Sequence, residues 1–234
     1  MKDSYLYHYT TIQALGGILL GNPNKLTFLA SVASSMNDPT EVLDGYNILL
    51  KEKFKDKIKE ALKAKLIGRS GDSLFLISFS RVPDSLSMWI CYADGGAGVC
   101  LKLRRSFISR GMPSGTLLDV LYYDDEKKKR REQISPDNPS FEENVSSFVF
   151  SCKCDHYSYE KETRFCVVKD ENDPPETKKR LRGDGIIKYV VVSFPMDALS
   201  QIIVGPKASR SIVNAIKDIC GSNISVNKTR LPFR

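Results

Sequence analysis

Glu160, Glu162 and Arg164 alternate along the stretch YSYEKETRF at residues 157–165. Read as a strand, this spacing puts the two carboxylates and the guanidinium on one face, with Tyr159, Lys161 and Thr163 on the other. Two kinds of chemistry suit such a set. One is an ion-pair ladder along a sheet edge. The other is a catalytic carboxylate, oriented by the second glutamate and the arginine, that stabilises an oxocarbenium-like centre at a sugar carbon and takes a proton from the attacking nucleophile.

Other residues could complete a site. His8 ends the apolar stretch LYH just before a helix signal, and Thr10 opens T-x-x-Q with Gln13, the spacing of a capping box. Ser78 and Ser80 share one face of SLFLISFS, where hydroxyls could hold a ribose or align a base. Trp89 and Tyr92 stand three apart on a short helix and could form one aromatic surface, although core packing competes for Trp89. DGGAG at 94–98 lacks a following lysine and reads as a turn rather than a phosphate loop. Cys152, Cys154 and His156 fall on one face of CKCDH if it is a strand, but zinc spacing and a second ligand pair are missing, so no metal is expected. The basic run Lys178, Lys179, Arg180 and Arg182 could touch nucleic acid, or simply be solvated.

The elements that must position these residues are legible in the hydrophobic pattern. Strands are expected at 25–30, 73–80, 98–103, 115–123, 186–194, 201–205 and 223–228, with a hairpin or strand pair over 157–168. Helices are expected after Thr10, over 52–66, from Ser85, over 140–151 and over 209–220. SSMNDPTE at 34–41 reads as a polar turn, with Asn37-Asp38-Pro39 reversing the chain. With no dinucleotide fingerprint, this order points to an α+β fold with a mixed, mainly antiparallel sheet.

At 234 residues the chain suits one domain, with a helical insertion at about 40–70 and a flexible charged loop at about 169–185. Nothing approaches the ~18 consecutive apolar residues of a membrane span, and the N-terminus lacks a signal peptide's apolar run. The six cysteines lie mostly in apolar contexts and read as reduced thiols, so a cytoplasmic protein with no membrane partner is expected. A net charge of +7 favours an anionic partner without demanding one.

LYHYT, SSMNDP, SFSRVPDSLSMW with YAD and GVCL, YEKETR and IIVGP, in that order, resemble a chiefly bacterial family of unknown function, DUF2971. That family is distantly similar to ADP-ribosyltransferases. The resemblance implies a mainly antiparallel sheet split around a cleft with flanking helices, and NAD as substrate without a metal. It implies that His8, Thr10, Ser78, Ser80, Trp89, Tyr92 and Arg164 hold NAD or a related nucleotide. Glu162 would be the catalytic residue and Glu160 its helper. Phe79 in the serine motif, Gly96 in the YAD loop and Thr163 after the glutamates depart from the family pattern. The resulting expectation is transfer of ADP-ribose to a macromolecular acceptor, protein or nucleic acid, or hydrolysis of NAD. A toxin, effector or anti-phage defence role would fit. The alternative is a non-catalytic nucleotide- or nucleic-acid-binding module on the same scaffold.

Overall fold

A computed structural model describes residues 4–35, 43–51, 55–62, 74–110, 115–169, 173–182 and 185–232. The chain runs β1 (Tyr5–Thr10), α1 (Ile12–Leu20), β2 (Lys25–Val32), α2 (Leu43–Leu49), α3 (Lys55–Leu62) and β3 (Leu74–Ser80). It continues through α4 (Leu86–Tyr92), β4 (Val99–Arg104), α5 (Arg105–Ile108), β5 (Gly115–Asp119), α6 (Asp124–Arg131) and α7 (Phe141–Ser151). The last elements are β6 (Glu162–Val168), β7 (Lys178–Arg182), β8 (Gly185–Pro195), β9 (Leu199–Val204), α8 (Arg210–Cys220) and β10 (Ser225–Lys228).

The strands form one ten-stranded sheet in the order β10-β9-β4-β1-β3-β2-β8-β7, with β6 and then β5 branching from β3. Among the described strands β9 and β10 pair in parallel, joined by the crossover helix α8, and the other strand pairs are antiparallel. The expected α+β class and mainly antiparallel sheet are therefore present. Helices cover both faces. On one, Leu6, Phe28, Phe79, Leu101, Phe165 and Val192 pack with Leu15 and Leu19 of α1 and Ile216 of α8. On the other, Leu74, Leu76 and Cys166 meet Leu49, Ile58, Leu62, Phe148 and Val149 from α2, α3 and α7. Strands covered on both sides lose the apolar–polar alternation of a half-exposed sheet, which explains the nearly continuous burial of β3 and β6.

Several expectations are corrected. The N-cap of α1 is Thr11, whose side chain accepts from the Ala14 amide at 3.1 Å, because Thr10 is still held in the ladder opposite Val99. The expected strand at 115–123 stops at Asp119. The charged segment DDEKKKRR is the helix α6, which has no apolar stripe to announce it. Its acids lie in the first turn and its bases in the last, complementing the helix dipole, and Glu126 accepts from the Tyr122 amide at 3.2 Å. YSYEKETRF is not one strand: Asp155–Glu160 is a 3-10 turn, Lys161 adopts a left-handed conformation (φ 43°), and β6 begins at Glu162. Nor does β6 lie at an edge, since β3 and β5 pair with it on either side. Lys178–Arg182, expected in a loop, pair with β8 as strand β7. The turn residues Asn37, Asp38 and Pro39, the ends of the expected helix at 52–54 and 63–66, and loop positions 170–172 and 183–184 lie outside the described residues.

DGGAG is a tight turn built for packing. A Cβ on Gly98 would stand 2.3 Å from the Thr10 carbonyl oxygen, and one on Gly205 would stand 2.3 Å from that of Gly96. The Gly205 amide donates to the Gly98 carbonyl at 2.9 Å, tying this turn to the end of β9.

Candidate active site

The cavity arises from how β3 shares its edges. One edge pairs with β6 along its whole length, from Leu74↔Val168 to Ser80↔Glu162. The other is divided between β2 at one end (Leu76↔Ser31) and β1 at the other (Ser80↔Tyr7). Between those contacts β1 and β2 splay apart, and a cavity of about 460 Å³ opens in the fork.

A fork leaves backbone groups of β3 without strand partners, and buried polar groups need partners. The His8 ring supplies one, with Nδ1 3.0 Å from the Ser78 carbonyl oxygen. A carbonyl can only accept, so Nδ1 carries the hydrogen. The ring sits edge-on to Phe28 and Phe79, with centroids 5.1 and 5.7 Å away. Burial pushes its pKa down, against the raising effect of the Ser78 bond. The imidazole is therefore neutral, and Nε2 keeps its lone pair as an acceptor.

Strand alternation places His8 with Leu6 on the side of Leu101 and the main core, whereas Glu162 shares a side with Ser80 and Tyr7. Both nevertheless line the same cavity, because the fork removes the strand pairing that would otherwise separate them.

On the Glu162 side, the side chains of Lys153, Glu160, Glu162 and Arg164 are buried together. Lys153 lies two residues past the end of α7, and its backbone is fixed by donation to the Leu121 carbonyl at 3.1 Å. Its Nζ donates to Glu160 Oε2 at 2.7 Å and to Glu162 Oε2 at 3.1 Å, and lies over the Tyr157 ring. Arg164 is fully buried; Nη1 donates to the Phe150 carbonyl at 2.8 Å and Nη2 to Glu162 Oε2 at 3.1 Å. The Tyr92 hydroxyl donates to Glu160 Oε1 at 2.6 Å. The left-handed Lys161 turns the chain so that Glu160, although outside the strand, comes back to the same lysine as Glu162.

Glu160 and Glu162 differ in one respect. Both oxygens of Glu160 accept hydrogen bonds. Glu162 Oε1 is buried and has no hydrogen-bond partner among the described residues. Burial would raise the Glu162 carboxyl, but Arg164, Lys153 and, last, the Ser78 hydroxyl outweigh it and hold the pKa down at about 2. The group is a lasting negative charge, held by Arg164, Lys153 and the Ser78 hydroxyl, and its Oε1 is closed off from solvent.

Of the residues singled out from sequence, His8, Thr10, Ser78, Ser80, Tyr92, Glu160 and Glu162 line the cavity. The Ser80 hydroxyl is already committed: it donates to the Glu160 carbonyl at 2.6 Å and accepts from the Val82 amide at 3.0 Å. Trp89 does not reach the cavity. It is fully buried against Tyr9, with Nε1 donating to Asp84 at 2.8 Å, so it forms no joint surface with Tyr92. Arg164 stands behind Glu162 rather than in the cavity. Lys178 and Lys179 are exposed on β7, Arg180 turns into the cavity wall, and the Arg182 side chain lies outside the described residues. The expected face of Cys152, Cys154 and His156 is broken. Cys152 is in the core, its thiol pushed up to about 12 by burial, while Cys154 and His156 lie on an exposed turn with Asp155, their ligand atoms within 4.8 Å of one another.

Lys153 was missed by sequence reasoning. Its signal was present in CKCDH, a lysine enclosed by apolar helix and cysteines, but the cysteines drew the reading toward metal.

An α+β protein with a forked sheet and a buried, ion-paired carboxylate at the fork is the class that fold and site define. Residues 88–165, about a third of the chain, match the model of a family described as a protein of unknown function, DUF2971. The match supports the DUF2971 resemblance and spans Tyr92, Lys153, Glu160, Glu162 and Arg164. No curated protein and no solved structure matches the chain.

Proposed function

We propose that this chain is an ADP-ribosyltransferase-like enzyme that takes NAD into the fork and cleaves its nicotinamide–ribose bond. One observation carries the reading: Glu162, held ionised by Arg164 and Lys153, is a carboxylate in the lining of a cavity. His8 Nε2, a second acceptor, belongs to the same lining. A carboxylate and a neutral imidazole both accept hydrogen bonds, and the hydroxyls of a ribose are donors of the kind they take. A cavity of about 460 Å³ falls within the ~300–1,000 Å³ range of small-molecule sites.

The chemistry follows from charge. The C–N bond breaks with its electron pair leaving on nicotinamide, and positive charge develops on the ribose ring. A fixed carboxylate in a water-poor site stabilises that charge without reorganising. An acceptor oxygen or water then bonds to the sugar carbon and passes its proton to solvent. With a pKa of about 2, Glu162 is a poor proton acceptor, so its part is electrostatic stabilisation and hydroxyl binding rather than general base catalysis. Glu160, Lys153 and Arg164 position it, and the macromolecular acceptor, protein or nucleic acid, meets the sugar at the cavity mouth.

The test is incubation with labelled NAD and cell lysate, reading free nicotinamide and label on protein or nucleic acid. Glu162→Gln should lower nicotinamide release about 10²–10³-fold, as loss of one preorganised electrostatic group does. The exchange also removes a charge from a buried cluster, so folding is checked by circular dichroism. A folded Glu162→Gln protein that cleaves NAD at the parental rate refutes the assignment. NAD bound but never cleaved by the parent protein would favour the non-catalytic nucleotide-binding module.

A further inference from the structure

We propose that Cys154, Asp155 and His156 form a binding site for a zinc-like divalent transition metal. The site lies apart from the fork cavity, whose described lining includes none of the three, and it stands whether or not the fork cleaves NAD.

Zinc spacing is missing for Cys152, Cys154 and His156, but the fold changes the set. Cys152 is withdrawn into the core, and Asp155 takes its place beside the other two. Cys154 Sγ lies 3.1 Å from His156 Nδ1 and 3.6 Å from Asp155 Oδ1, and Nδ1 and Oδ1 are 3.2 Å apart. Thiolate, imidazole and carboxylate bonds of about 2.0–2.3 Å, arranged tetrahedrally, give ligand–ligand edges of roughly 3.4–3.6 Å. The three donor atoms are already spaced close to one face of such a tetrahedron. The same geometry argues against a nucleophilic thiol. In a catalytic relay the carboxylate holds one ring nitrogen and the nucleophile meets the other. Here the thiol and the carboxylate both approach Nδ1, so the three atoms converge on one point.

The backbone that carries them is fixed at both ends. The Lys153 amide donates to the Leu121 carbonyl at 3.1 Å, and the Tyr157 amide donates to the Cys154 carbonyl, also at 3.1 Å. Cys154 is half-buried, while Asp155 and His156 reach into solvent, which gives an ion an entry path and leaves its fourth position to water. A thiolate and an imidazole select zinc-like ions over magnesium and calcium, which take oxygen ligands. On binding, the metal–sulfur bond replaces S–H and the proton goes to solvent, so affinity rises with pH. A bound ion ties down the start of the 3-10 turn that ends at Glu160, the partner of Lys153.

The experiment is titration of the full chain, its thiols reduced, with cobalt(II), whose thiolate charge-transfer and ligand-field absorption report a tetrahedral site containing sulfur. The parent should develop both absorptions with one-to-one stoichiometry, and zinc should bleach them. Cys154→Ser should abolish the charge-transfer band. Asp155→Asn and His156→Ala should each weaken cobalt at least about 10- to 100-fold, the loss that even an outer-shell partner brings. Cys91→Ser, which removes an exposed thiol elsewhere, should change nothing. Circular dichroism confirms that each variant is folded. A parent without the thiolate band, a band that survives Cys154→Ser, or cobalt displaced by magnesium overturns the site.

Discussion

Two carboxylates flank Thr163, and each is met by two cations. Asp119 on β5 accepts from the Thr163 hydroxyl at 2.6 Å and from Arg105 at 3.0 Å, with Arg81 at 3.7 Å. Glu162, the residue before Thr163, faces Lys153 and Arg164, each at 3.1 Å. The local charge count is alike but the surroundings are not: the Asp119 side chain is 42% exposed and that of Glu162 is 2% exposed. For Asp119, burial raises the pKa, and Thr163, Arg105 and Arg81 overcome it, leaving the carboxyl below its ordinary value. Water screens that cluster and can satisfy any remaining lone pair. In the Glu162 cluster the side chains are almost fully enclosed, so each partner counts for more. A surface ion pair is screened by water, whereas a buried one depends on every partner it has.

The comparison can be broken most forcefully at Lys153. Lys153→Met leaves two buried carboxylates without the cation they share, and removing one partner of a buried pair costs about 3–5 kcal/mol. Urea unfolding should show a loss of that size. A loss below about 1 kcal/mol, the value of an exposed pair, would mean that the cluster is wet and that Glu162 resembles Asp119 after all.

The pH dependence sharpens the contrast. The Glu162 pKa falls from 4.5 to about 2, so its contribution to stability is complete above 4.5 and declines as pH drops toward 2. His8 acts in a different window. Its folded pKa lies below 6.5, so below that pH the unfolded chain takes up a proton that the folded ring resists, and stability falls. Asn at position 8 can donate from Nδ2 to the Ser78 carbonyl but does not titrate. His8→Asn should therefore flatten the decline below about pH 6.5 in melting curves recorded against pH. An unchanged slope would show that His8 is not the neutral strut of the fork.

Asp119→Asn should do least, at most about 1 kcal/mol, because the carboxylate is half exposed and its ion pairs are screened. Chemical denaturation of this variant beside Lys153→Met gives the ratio directly. Similar losses in the two variants would erase the distinction between the clusters.

Much of the frame is legible in the chain. The strand LFLISFS, the helix with Ile212, Val213 and Ile216 on one side, and the apolar run VVV of β8 announce themselves by periodicity and composition. The glutamates and arginine of YEKETR could be marked as a chemical set, although the strand assumed to align them begins only at Glu162. α6 went unread because a helix lacking an apolar stripe leaves no period to detect, and β7 because short charged strands on a sheet edge look like loops.

The sequence by itself determined which segments are apolar enough to be buried, an α+β element order, and a carboxylate pair near an arginine. Tertiary structure alone decided that β6 lies between β3 and β5, that Lys153 lies between Glu160 and Glu162, and that β1 and β2 part over Ser78. The reason is range. Periodicity reports which side of an element is buried, while the partner that buries it comes from elsewhere in the chain: His8 finds Ser78 across 70 positions, and Arg180 finds Ser31 across 149. Whether YEKETR is a solvated ladder or a dry charge facing a cavity depends on those distant pairings, because the surrounding dielectric sets the strength of every charge in it.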